Sequence, residues 1–280
     1  MKALAYENEI KVGNYYEGIP NDTYHAHKSI SKSGLDLIER DPFHYFNQKP
    51  MEQTRPMQVG SAIHAAILEP EVFKTDYMML PEIKDRRQPE YKEAVKRYGV
   101  SKVFTINDCE NISNMQKAVL GNSEAKHLLE QDGYFELSGF VNDPVTGLIC
   151  RHRFDKLAVV DGYAVDVKKT QDVRPFKFSR SIGDYRYHVQ DAFYLDQYEW
   201  LTGEKLKGMK FIAVEEKFPH KVAVYQLDDI SRQIGREAYR KNLNTYAEFI
   251  NNGTKPHNND TCQIISVPEW MMREYEDQLV

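Results

Sequence analysis

The chain has 280 residues, 41% of them hydrophobic and 28% charged, a globular balance with enough apolar content for a substantial core in one domain or two small ones. No apolar run approaches the roughly 20 residues a membrane helix needs, and the opening MKALAYENEIKVGNYY lacks the apolar stretch of a secretion signal, so a cytoplasmic location is expected. The formal net charge of −5 argues against nucleic-acid binding through overall basicity and leaves room only for local basic surfaces.

The first 28 residues are polar and aromatic, with turn formers at Gly13, Gly18, Pro20 and Asn21. SISKSGLDLIERDP predicts a helix capped by Ser31 or Ser33 and ended by Pro42. A second helix is expected from Gln58 to Glu69, with Ile63 and Ile67 one turn apart and Pro70 as its stop. The charged stretch from Pro81 to Gly99 reads as an exposed loop leading into a helix, and a further helix is expected from Asn111 to Gln131. From Tyr134 to Lys169 the pattern changes to three strands separated by two turns, NDPVTG and Asp161-Gly162. A helix from Tyr185 to Leu201, the β runs KFIAVEEK and KVAVYQL, and a long helix from Asp229 to Asn251 follow. The tail beyond Asn252 is turn-rich, with a short helix expected around Pro268 to Gln278. Helices followed by strands and then alternating elements imply an α/β or α+β sheet flanked by helices, with a helical N-terminal portion to about residue 130 and the sheet between 134 and 251.

The stretch RHRFDKLAVVDGYAVDVKKT carries the chemistry. With Asp161-Gly162 as a two-residue turn, Leu157 pairs with Asp166 and Asp155 with Lys168, so Asp155, Asp166 and Lys168 share one face within roughly 5–8 Å. Tyr163, Val165 and Val167 take the other face. Two carboxylates buried in a sheet cost several kcal/mol each unless paired or bound to metal, and their oxygens suit a hard cation such as Mg²⁺. Taken alone, the same hairpin also fits a surface salt bridge from Asp155 to Lys168. Two helical motifs bear on the choice. Gly60 and His64 share a helix face, where the glycine admits a neighbouring backbone and the imidazole can reach a metal or simply pack. Gln190 and Tyr194 sit one turn apart, facing either the site or an ordinary amphipathic interface.

GSAIH, FELSGF, CRHRFDKL, VDVKKT and YHVQDAFYLD occur in an order and spacing that resemble the exodeoxyribonuclease VIII (RecE-type) branch of the PD-(D/E)XK nucleases, within the RecB-like group. SISKSGLDLIERDPFHYF and VPEW extend the resemblance over nearly the whole chain, 1–280. It implies a restriction-endonuclease-like core with a central mixed sheet, and His64, Asp155, Asp166 and the Val167 carbonyl as ligands of Mg²⁺, for which Mn²⁺ can substitute. It further implies Lys168 as the catalytic lysine, Gln190 and Tyr194 as a QxxxY motif, and Glu136 near the site. The activity implied is degradation of linear double-stranded DNA from its ends, 5′ to 3′, by a ring-shaped homo-oligomer working with a single-strand annealing partner in phage-type recombination. Branches with an iron–sulfur cluster need four cysteines, whereas this chain has only Cys109, Cys150 and Cys262. An endonuclease with the same core and a non-catalytic DNA-end-binding protein are the alternatives.

DNA contacts are expected at local cations: Lys84, Arg86 and Arg87 in one loop, Arg151 and Arg153 at the parity of Asp155, and Arg40 as a receptor for a 5′-phosphate. Arg232, Arg236 and Arg240 recur every four residues on the last long helix, where phosphate contact and salt bridges are both open.

Overall fold

The computed structural model describes residues 2–49, 53–253, 256 and 261–276. Strands β1 (Leu4–Ala5) and β2 (Asn14–Glu17) precede helices α1 (Asn21–Ala26), α2 (Lys32–Arg40), α3 (Pro42–Phe46), α4 (Arg55–Leu68) and α5 (Pro70–Asp76). Strand β3 (Met78–Leu80), α6 (Pro89–Tyr98), β4 (Val103–Thr105), α7 (Ile106–Gly121) and α8 (Ser123–Glu130) complete the first half. Then come β5 (Gly133–Asn142), β6 (Ile149–Ala158), β7 (Tyr163–Thr170), α9 (Pro175–Asp184), α10 (Tyr187–Thr202), β8 (Gly208–Glu215), β9 (Val222–Gln226), α11 (Asp229–Asn252) and α12 (Glu269–Glu276). Gln278, the expected end of the tail helix, lies outside the described residues.

Local chemistry sets these boundaries. Ser31 caps α2 by accepting from the Gly34 N–H, and the Asp41 side chain caps α3 through Phe43 N–H. Pro42 and Pro70, expected as terminators, open the next helices instead, because proline lacks an N–H that the first helical turn would leave unused anyway. The helix expected from 111 to 131 is two helices: Asn122 breaks it and caps α8 through Ala125 N–H at 3.0 Å. Strands β1 and β2 and helix α9 lie where no regular element was expected.

The main sheet has the order β1-β2-β5-β6-β7-β8-β9. It is mixed: β1–β2 and β7–β8 are parallel and the other neighbours antiparallel. One face packs Val165, Val167, Ile212 and Val214 against α4, α7 and α8. The other packs Leu157, Ala164, Phe211 and Ala213 beneath α9 and α10. Helix α11 lies over α10, and so closely that a Cβ on Gly235 would come 2.0 Å from the His188 carbonyl oxygen. The β6–β7 turn is longer than expected. Ala158 pairs with Tyr163 and Lys156 with Val165, so four residues form the turn and the register is two residues off the expected one. A two-residue slip preserves side-chain parity, and Val165 and Val167 stay on the core face as expected.

Helix α10 is buried on almost every side, and its buried aspartates face arginines of α11. Asp191 meets Arg232 at 3.1 Å and Asp196 meets Arg236 at 2.7 Å, while Arg240 pairs with Asp143 at 2.8 Å. The arginine ladder of α11 is thus a set of structural ion pairs. His152, fully buried on β6, lies between the Tyr15 hydroxyl (3.0 Å from Nε2) and Gln197 Oε1 (3.1 Å from Nδ1). Burial pushes this imidazole down to about 4, and the Gln197 hydrogen bond, pulling upward, offsets it only in part. The unfolded chain, with an ordinary value near 6.5, therefore binds the proton first on acidification. Stability from a neutral His152 is full above pH 6.5 and is lost as the pH falls towards 4, by about 3 kcal/mol in all. Urea unfolding across that window should show the slope, and His152→Gln should flatten it; an unchanged slope would remove His152 from the acid response.

Candidate active site

Beyond the Lys156–Val165 pair, β6 and β7 part. Asp155 fills the opening, its Oδ2 accepting from Val167 N–H at 2.7 Å. Asp166 is 4% exposed; its Oδ1 accepts from Gln190 Nε2 of α10 at 2.6 Å, and Lys168 Nζ stands 2.6 Å from its Oδ2. Lys168 thus pairs with Asp166 rather than with Asp155. From the opposite side α4 brings His64, whose Nε2 lies 2.7 Å from the Val167 carbonyl oxygen and Nδ1 3.4 Å from Asp155 Oδ2.

Glu136 completes the group. Its φ of +46° is a left-handed conformation inside a strand, which costs on the order of 1–3 kcal/mol in a residue with a side chain. The kink interrupts the β5–β6 ladder at this residue and brings the carboxylate beside Asp155. Single ligand atoms of His64, Glu136 and Asp155 all lie within 4.8 Å of one another. Burial, then the neighbouring Asp155, pushes the Glu136 carboxyl up to about 8, with Arg153 3.7 Å away pulling the other way. Asp155 is raised by burial and by Asp166, against the pull of His64. Burial works to lower Lys168, but Asp166 and Asp155 outweigh it and leave it above its ordinary value.

This donor set suits a divalent cation. Carboxylates crowded in a buried site hold protons that a positive ion would displace. Asp166 Oδ2 is buried and, despite the nearby ammonium, makes no aligned hydrogen bond. His64, Asp155, Asp166 and the Val167 carbonyl, with Glu136 beside them, supply the oxygen-rich ligands that Mg²⁺ or Mn²⁺ prefers.

The group opens into a cleft of about 1010 Å³ between α2, α4 and the start of α10. Gly60 lies on its wall, and a Cβ there would meet nothing within 4 Å. The glycine therefore serves no close helix packing, contrary to expectation; it leaves the rim low. A smaller cavity of about 330 Å³ behind the cleft is lined by Tyr194, Arg153, Glu136 and both aspartates. Tyr194 packs there on His152 and Phe154.

The expected DNA-contacting cations fare differently. Arg151 is 8% exposed and donates to the carbonyls of His27 and Ser29, so it ties down the N-terminal segment and offers nothing to a phosphate. Arg153 shares the parity of Asp155, as expected, but is held by Ser138, Asn21 and the Ile19 carbonyl and offsets Glu136. Arg40 is exposed and lies outside the cleft, where α2 instead contributes Lys32 and Ser33. Lys84, Arg86 and Arg87 also lie outside it, with Arg86 facing Asp108 at 3.6 Å and Arg87 paired to Asp85 at 2.6 Å. Sequence reasoning gave no site role to Lys32, Tyr185, Arg186 and Tyr187 on the cleft wall: Lys32 and Tyr187 stand inside quoted motifs without being singled out, and Tyr185 and Arg186 stand in none.

Residues 31–268 match the family of the PDDEXK-like domain of unknown function (DUF3799). The chain belongs to that family. The fold of this DUF3799 domain, a mixed sheet between helical layers, is of the PD-(D/E)XK, restriction-endonuclease-like class. Among solved structures it is similar to a protein from Eubacterium rectale named "Putative exonuclease", at 12% identity and a TM-score of 0.60 over 92% of this chain and 98% of that one. That likeness shows a shared fold. A phage related exonuclease from Haemophilus somnus 129PT aligns over 82% of this chain and 98% of its own at 10% identity, with a TM-score of 0.35, too low to bear on the fold. No curated protein sequence matches the chain.

Gln190 lines the cleft and donates to Asp166, the contact through which it would orient that carboxylate. Gln190→Ala should weaken divalent-ion affinity by about 10- to 100-fold, read as a shift in the Mn²⁺ concentration that stabilises the protein against heat. An unshifted titration would show that Asp166 is held without it.

Proposed function

We propose that this chain is a divalent-metal-dependent deoxyribonuclease of RecE type, degrading linear double-stranded DNA from its ends in the 5′-to-3′ direction. The observation that carries the reading is the convergence of Asp155, Asp166, Lys168 and His64 where β6 and β7 part, at the floor of an open cleft. Family membership supports the same class of chemistry. His64, Asp155, Asp166 and the Val167 carbonyl would hold Mg²⁺, with Mn²⁺ as a substitute. When bound, the ion supplies a Lewis acid that polarises a phosphate oxygen.

The chain's own groups do the positioning. Lys168 presents an ammonium beside Asp166, where it can orient the attacking water and offset charge growing on the phosphate. Asp166 is fixed by Gln190 on one oxygen and faces Lys168 with the other. The water oxygen bonds to phosphorus as the bond to the 3′-oxygen breaks, and the proton released by the water ends on that 3′-oxygen. The products are 5′-phosphorylated nucleotides. A ring-shaped homo-oligomer that passes the exposed strand to a single-strand annealing protein, in the cytoplasm of a bacterial host, completes the reading.

Linear duplex labelled at the 5′ or the 3′ end, and closed circular duplex, should be incubated with Mg²⁺ or with chelator. The 5′ label should appear first as mononucleotide, the circle should persist, and chelator should stop the reaction. Asp166→Asn, verified as folded by circular dichroism, should lose at least about 10²–10³-fold in rate. Cleavage of the circle would make the enzyme an endonuclease, DNA binding with no metal-dependent product would make it an end-binding protein, and wild-type rates from Asp166→Asn would sink the site assignment.

A further inference from the structure

Three rings form a stacked column from the core to the cleft rim. Phe211 on β8 is fully buried, Tyr187 stacks on it at 5.8 Å and 22°, and Tyr185 stacks on Tyr187 at 5.6 Å and 23°. Tyr185 is 62% exposed, and among the described residues no other ring covers it. Residues two apart do not share a helix face. Here Arg186 between them takes the left-handed conformation (φ 52°, ψ 45°), which turns both rings to one side.

That strained link is clamped from two helices. Arg186 donates to Asp36 Oδ1 at 2.9 Å and to Asn242 Oδ1 at 2.7 Å, and Lys32 Nζ donates to the Tyr185 carbonyl. A large exposed ring is thus presented on a fixed backbone, a combination that folding alone does not require. The middle ring lies under Lys168, whose Nζ is 4.8 Å from the Tyr187 centroid. The column therefore stands next to the proposed reaction centre.

Past Tyr185 the cleft runs on into a second groove of about 830 Å³, and the two share Met57, Lys169, Asp184, Tyr185 and Tyr187. Lys177 and Arg180, one turn apart on α9, line this groove and form no ion pair among the described residues. Exposed aromatic faces beside unpaired cations are what a single nucleic-acid strand needs, since every base has a π-face and every link a charge. A base inside a duplex has both faces covered by its neighbours, so only an unpaired or end nucleotide can stack on such a ring.

We infer that Tyr185 is a stacking platform for an unpaired nucleobase next to the scissile phosphate, with the same strand continuing along α9 over Lys177 and Arg180. This rests on the nuclease reading and adds the positioning residue and the strand path. The test uses the full chain in chelator, so that cleavage is off, and a duplex with a short single-stranded end carrying 2-aminopurine at successive positions. With wild type, one position should show stacking quench; Tyr185→Ala should lose the quench and bind about 5- to 150-fold more weakly. Tyr185→Trp should restore both, and an abasic site at that position should erase the difference between wild type and Tyr185→Ala. Equal binding by Tyr185→Ala, or a change only in oligomeric state, overturns the platform. If wild type still degrades linear duplex while Tyr185→Ala binds equally, this inference alone falls; if wild type neither binds nor cleaves DNA, both fall.

Discussion

Asp155 accepts the N–H of Val167, a donor that an uninterrupted ladder would have given to a strand neighbour. In doing so it holds β6 and β7 apart at the place where Asp166 and Lys168 emerge. The same opening leaves the Val167 carbonyl to His64. Strand separation and site assembly are therefore one event: the hydrogen bonds that keep the sheet open are made by the groups that would bind the metal. The kink at Glu136 on the other side of β6 has the same effect, because its left-handed backbone removes one rung and brings a third carboxylate into the gap.

An opening of this kind weakens the sheet, and the surrounding helices compensate. Helix α10 braces the floor through Gln190, and α10 is itself locked by Arg232 and Arg236 of α11. Buried ion pairs seldom add net stability over well-packed apolar groups. Here they pin α10 to α11 at two successive points, Asp191 to Arg232 and Asp196 to Arg236, on the helix that sets Gln190 against Asp166. The Arg186 link before α10 is fixed by α2 and α11 together. Three helices, α2, α10 and α11, thus determine where Gln190 and Asp166 sit.

Much of this was legible in the sequence because strand parity survives errors of register. The expected two-residue turn is in fact four residues long, yet the slip is even, so Asp155, Asp166 and Lys168 still meet. Which carboxylate pairs with the lysine does depend on register, and that detail came out reversed. Parity also says nothing about depth. Arg151 and Arg153 stand at the expected parity, but the segment at Ile19 to Ser29 covers them, a packing no local pattern announces. Strands β1 and β2 are two and four residues long, too short for alternation to show. The clustered cations at 84–87 lie outside the cleft, and two of them, Arg86 and Arg87, face Asp108 and Asp85, partners that a count of charges does not show.

The acidic net charge takes on a different meaning once partners are assigned. Arg151, Arg153, Arg232, Arg236 and Arg240 are all engaged in holding the fold together. Few cations are left free for phosphates near the cleft, and two of the nearest, Lys32 and Lys169, are paired with Asp36 and Glu216. Counterion release scales with the phosphates neutralised, so a footprint this poor in free cations cannot draw most of its affinity from the backbone. For a nuclease, the remainder must come from the ion in the site and from contacts to bases. On the proposed exonuclease reading, weak backbone binding would suit release and re-engagement of the strand at each step, and discrimination for an end would fall where ring faces are free, because no continuous duplex offers one.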